Sequence, residues 1–157
     1  MGFFDFFNSE YSQYKKVYKH VNNLTSTDDR YRRASQTLNG FFQGSLMIPM
    51  MRDKKLFQKK EKMDVFIPYF SGAVSLVSRA VNLPENEETD IFVMFFLVLW
   101  LCDSDYKRMK EMGDKYLEIA FNSKYQELFE KGSKDVNDML NQAEEPSKIF
   151  LRLNKLL

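Results

Sequence analysis

The sequence predicts an all-α fold: a single compact domain over residues 1–157, with six or seven helices packed around a fully apolar central helix at about residues 88–102. Apolar residues recur at steps of three and four along most of the chain, the spacing that places them on one helical face. No segment of useful length alternates with period two, and no hairpin turn flanked by such segments is signalled. Fifteen Phe and eight Tyr supply the bulk of a large core.

The elements follow in order. Phe4, Phe7, Tyr11, Tyr14, Tyr18 and Val21 form one stripe, with Lys15, Lys16 and Lys19 between them, which predicts a helix running to about Leu24. A Ser/Thr cap and early acids in "STDD" predict the next start, and Tyr31, Ala34, Leu38, Phe41, Ser45 and Ile48 form its stripe up to Pro49, which is expected to close it. Gly40 and Gly44 share a face there, a spacing that lets a neighbouring backbone come close. The basic connection "RDKKLFQKKEK" (residues 52–62) leads to a third helix, expected to be capped by Asp64 with Pro68 in its first turn. Its stripe is Phe66, Phe70, Ala73, Val77 and Ala80, widened by Tyr69, Val74 and Val81.

After the central run, Tyr106, Met109, Gly113, Tyr116 and Ala120 mark another helix, with a break expected at Asn122–Ser123 and an end near Gly132. A short helix around Val136, Met139 and Leu140 precedes a last one starting at Pro146. That helix carries Ile149, Phe150, Leu153, Leu156 and Leu157 on one face and Lys148, Arg152 and Lys155 opposite.

The central run, Ile91 to Cys102, is twelve consecutive apolar residues. As a helix it covers roughly 18 Å, against about 30 Å of bilayer hydrocarbon. Its nine Leu, Ile, Phe and Val residues favour insertion by about 4 kcal/mol in total. The flanking Glu87, Glu88, Asp90, Asp103 and Asp105 oppose it by about 7 kcal/mol. Burial among other helices is the expectation, and a membrane partner is not.

A formal charge of +1 predicts no global attraction to nucleic acid or anionic lipid. Cys102 is the lone cysteine, so no intrachain disulfide framework exists. The first residues lack a basic n-region, and Phe6 stands where a myristoylation motif needs Ser or Thr; a cytoplasmic location is the default expectation.

Signals for chemistry are thin. His20 is the sole histidine, no nucleophile elbow nominates a serine, and "GFFQGS" lacks the lysine and preceding strand of a phosphate loop. Glu111, Asp114 and Glu118 alternate with Lys107, Lys110 and Lys115, the pattern of a solvated ion-paired face. No catalytic residue, cofactor or metal ligand is assigned.

Two charged patches remain as candidate partner-binding residues. One is acidic: Glu85, Glu87, Glu88 and Asp90. The other is basic: Lys54, Lys55, Lys59, Lys60 and Lys62, with Arg52 beside them. Separated patches of opposite sign favour complementary docking, so the expectation is a non-enzymatic protein-binding module that neutralises or recruits a protein partner, as bacterial immunity or antitoxin proteins and adaptors do. The alternatives are a nucleic-acid-binding regulator using residues 52–62 and a peripheral membrane protein.

Overall fold

The computed structural model describes residues 19–20, 22–84, 114–115, 118–119 and 122–157. Among them the structure is all-helical. It comprises α1 (Asp29–Arg52), α2 (Lys60–Ala80), α3 (Gln126–Leu140) and α4 (Pro146–Leu156), with single 3-10 turns at Leu56–Gln58 and Ser123–Tyr125. The expected first helix, the acidic patch at Glu85, Glu87, Glu88 and Asp90, and the apolar run at 91–102 lie wholly or largely outside the described residues. No helix among the described residues is long and apolar enough to cross a membrane.

α1 begins one residue later than a Ser/Thr cap would place it. Asp28, in extended conformation, accepts a hydrogen bond from the Arg30 amide, and Asp29 adds negative charge to the first turn. The Ser26 and Thr27 hydroxyls instead donate back to the Asn22 and Asn23 carbonyls, closing the helical stretch 22–27. Pro49 does not end α1, contrary to expectation. Its ring removes the bond to the Ser45 carbonyl, but its own carbonyl still accepts from the Asp53 amide at 3.0 Å, so the helix runs on to Arg52. Burial of Leu46 and Pro49 on the core face offsets the lost bond.

The basic connection is shorter than its sequence suggests. Asp53 receives the Lys55 amide at 3.0 Å, Leu56 is buried in the 3-10 turn, and Phe57 packs on Phe66 with ring centres 5.4 Å apart. That early turn starts α2 at Lys60, with Lys59 as its cap residue, so two expectations are corrected. Asp64 is not the cap: it sits in the second turn, paired with Lys115. Pro68 is not in the first turn but deep in the helix, buried on its core side.

α2 occupies the centre of the described structure. Every residue from Phe66 to Val74 is buried, and Phe41, Phe42, Phe66 and Tyr69 crowd around Phe70 with ring centres 4.4–6.2 Å away. Only Ala80 of its expected stripe is exposed. The helix closes in a paired Schellman arrangement: the Leu83 amide reaches the Ser78 carbonyl, the Asn82 amide reaches Arg79, and Asn82 adopts a left-handed φ of 56°.

Among the described elements, α3 and α2 form the most extensive packing pair. At the crossing the two backbones touch. A Cβ on Gly72 would strike the Phe129 carbonyl, and one on Gly132 would strike the Tyr69 carbonyl. Gly132 therefore does not terminate a helix. It is a contact residue inside α3, and the expected short helix around Val136 is the continuation of the same element. The true end is a second Schellman closure, from Ala143 to Asp138 and from Gln142 to Met139, with Gln142 at φ 52°. The expected break at Asn122–Ser123 is present, with the Asn122 side chain accepting from the Lys124 amide.

α4 starts at Pro146 as expected and buries Ile149 and Leu153. It lies along α1, where the Phe150 ring sits over Gly44, and Arg52 donates to the Asn154 side chain at 3.4 Å. Of the two glycines read as a close-packing pair, Gly44 thus meets a side chain and Gly40 meets nothing within 4 Å among the described residues.

Candidate functional site

Two arrangements concentrate polar or exposed apolar chemistry. The first lies inside the fold. The Tyr69 hydroxyl donates to Asp135 at 2.8 Å, and Arg152 Nη1 contacts Asp135 at 2.5 Å and Asp138 at 2.7 Å. Arg152 Nη2 reaches Glu144 at 2.8 Å, and Lys134 adds a second cation to Asp138 at 2.7 Å.

Arg152, read from the sequence as standing opposite the apolar face of the last helix, turns out to be half-buried in an ion-pair cluster. A half-buried guanidinium satisfies three carboxylates from α3 and the α3–α4 loop.

A tyrosine, a buried carboxylate and an arginine thus stand together, tied to one another by hydrogen bonds. Burial, reinforced by the negative charge of Asp135, pushes the Tyr69 phenol far above its ordinary range, so it keeps its proton. Lys134 and Arg152 hold Asp138 below its ordinary value, so it remains ionised. Asp138 and Asp135 together raise the Arg152 pKa still further. Each group is committed to a neighbour, and Tyr69 is wholly buried. The cluster clamps α4 onto α3 and α2.

The second arrangement is on the surface, where α1 ends. Lys54, Lys55 and Lys60 are exposed and form no ion pair among the described residues. Lys59 is different: it pairs with Asp53 at 2.5 Å, which lowers the Asp53 pKa and raises that of Lys59. Lys62 reaches the Leu157 carbonyl. The five lysines of the basic patch are therefore not equivalent: Lys59 and Lys62 have partners in the fold, while Lys54, Lys55 and Lys60 are exposed without an ion pair among the described residues. His20 is exposed. The expected lattice of acids and lysines around residues 107–118 is described only in part; Asp114 and Glu118 are exposed, while Lys115 is turned to Asp64. Among the described residues, no group of three or more His, Cys, Asp or Glu is placed to hold a metal.

Sequence reasoning missed the apolar half of this surface. Met47, Met50 and Met51 are 60%, 44% and 78% exposed. They stand on the side of α1 opposite Leu38, Phe41, Ser45 and Pro49, immediately before Arg52 and Lys54. The signal was legible: "LMIPMMRDKK" is an unbroken passage from methionine to cation, and the helical phase of Met47 and Met51 departs from that of the buried stripe.

Comparison with known protein families, with curated proteins and with solved structures finds no match to this chain.

Proposed function

We propose that the chain is a protein-binding module that works without catalysis, neutralising or recruiting a partner protein, as immunity-type, antitoxin-type and adaptor proteins do. One observation carries this reading: three exposed methionines at the end of α1 are followed directly in the chain by exposed Lys54 and Lys55, which form no ion pair among the described residues. Large apolar side chains clustered in solvent are costly to solubility, and such clusters mark interaction surfaces. Methionine suits the role because its flexible, polarisable side chain adapts to a partner's shape. Flanking cations add orientation and speed of encounter more than affinity. The acidic residues Glu85, Glu87, Glu88 and Asp90 remain candidate contacts, outside the described residues.

The test is affinity purification from the native cells at physiological salt, with quantified stoichiometry and a Met47→Glu/Met51→Glu control. One protein retained in near-equimolar amount by the parent chain is expected. Repeated recovery of the chain alone contradicts the reading. Nucleic-acid binding is a second reading, favoured by the same unpaired lysines; it predicts binding to generic DNA or RNA that is strongest at low salt.

A further inference from the structure

The outer side of α1 carries more than exposed methionine. At about 100° per residue, Gly40, Gly44, Met47 and Met51 fall within an arc of roughly 60°. Phe150 covers Gly44, while Gly40, one turn earlier, is exposed and has open space where a side chain would stand. A shallow notch at Gly40 thus lies one turn before the Phe150 ring, and Met47 and Met51 continue the stripe beyond that ring. From Gly40 to Met51 the stripe is about 17 Å long, three helical turns. Beyond it stand Arg52, Lys54 and Lys55, all exposed. At the other end, Arg32 and Arg33 share Asp29 and Arg30 pairs with Asp28, so the positive charge left over there is smaller than that of exposed Arg52, Lys54 and Lys55.

We infer that this face takes one acidic amphipathic helix of a partner protein, an inference that rests on the protein-binding reading above. The partner lays apolar residues spaced i, i+3, i+4 and i+7 along Met51, Met47 and the Gly40 notch, and sets its acids against Arg52, Lys54 and Lys55. Charge selects this occupant over a second copy of the chain. Antiparallel pairing of two α1 faces with Met47 over Gly40 would bring the Arg33 turn of one copy against Lys54 of the other, cation facing cation. A glycine notch beside the Phe150 ring suits a helix better than a flat surface, because a single protruding side chain can seat there.

The experiment is fluorescence anisotropy of the full chain with three labelled peptides of about 18 residues, long enough to span the stripe. One carries a leucine stripe with glutamates flanking one end, one replaces those glutamates with lysines, and one keeps the glutamates but replaces the leucines with serines. Saturable binding of the first alone is expected, weakened at least tenfold by Met47→Glu/Met51→Glu and by Lys54→Glu/Lys55→Glu, and weakened as salt rises. The altered side chains are exposed, and unchanged circular dichroism and thermal melting confirm that the variants fold.

Equal binding of the serine peptide reduces the site to charge alone and overturns the inference, as does equal binding of the lysine peptide. Flotation with anionic vesicles that Met47→Glu/Met51→Glu abolishes, without peptide binding, assigns the face to lipid and overturns it. A dimer in sedimentation that the same variant dissolves assigns it to self-association and overturns it. If a stoichiometric native partner is retained by Met47→Glu/Met51→Glu while no peptide binds, this face is wrong and the protein-binding reading stands.

Discussion

Three glycines in helices carry opposite predictions for the same substitution. At Gly72 and Gly132 the added methyl group meets a backbone carbonyl of the opposing helix, which cannot yield unless α2 and α3 separate. Alanine gains roughly 1 kcal/mol of helix propensity, but overpacking costs about 3 kcal/mol or more when backbone must move. Gly72→Ala and Gly132→Ala are therefore expected to lower unfolding free energy in urea titrations. Gly40→Ala has no such contact and is expected to raise it by up to about 1 kcal/mol. The polar clamp gives a second test at this scale. Tyr69→Phe removes one donor from buried Asp135 and should cost about 1–3 kcal/mol. Arg152→Met should cost a comparable amount, and the double variant less than the sum, because both act on one carboxylate. The clamp also has a pH signature. Asp138 titrates below its ordinary value of 3.8 when folded, so its contribution is complete above that value and is lost as acid drives the pH down through the folded pKa. From about pH 5 downward the parent chain should lose stability more steeply than Asp138→Asn, as measured by thermal melting across that range.

At the scale of elements, what could be read from sequence divides along physical lines. Periodicity placed α1, α2 and α4 and most of their buried residues, because burial of a stripe is a local property of spacing. The Asn122–Ser123 break and the Pro146 start were equally legible, since each rests on side-chain chemistry at one position. Proline and glycine were misread. Pro49, Pro68 and Gly132 all discourage a helix in isolation, yet each lies within one because tertiary burial or a helix crossing outweighs the local cost. The left-handed closures at Asn82 and Gln142 were not legible for the complementary reason: neither is glycine, and the turn is secured by paired backbone bonds. Arg152 escaped notice because its three acids are distributed over α3 and a loop whose path is not written in its own neighbourhood. The basic connection predicts a weaker effect than its charge suggests. Lys59→Ala breaks only an exposed pair with Asp53, and Lys60→Ala removes no ion pair among the described residues. Each should change stability by less than about 0.5 kcal/mol in chemical denaturation.

For the whole molecule, the fold and the proposed function occupy opposite sides of α1. Its inner side joins α2 in an aromatic core, and α3 and α4 are held there by the glycine crossing and the Arg152 clamp. Its outer side carries exposed methionine and the open space at Gly40, with the Phe150 ring over Gly44 between them and exposed Lys54 and Lys55 following the helix end. Of the sequence-predicted basic patch, Lys54 and Lys55 follow that surface in the chain and Lys60 opens α2, all three exposed, while Lys59 pairs with Asp53 and Lys62 reaches the Leu157 carbonyl. Substitutions on the two sides should therefore separate cleanly into losses of stability and losses of binding. The most direct measurement is site-specific photo-crosslinking in the native cells, with the photoreactive side chain at Met51 and, as a control, at exposed Glu130 on α3. A discrete adduct with one protein from position 51 and none from position 130 is the predicted result. No protein adduct from position 51, or the same adducts from both positions, contradicts the claim that this face binds a partner.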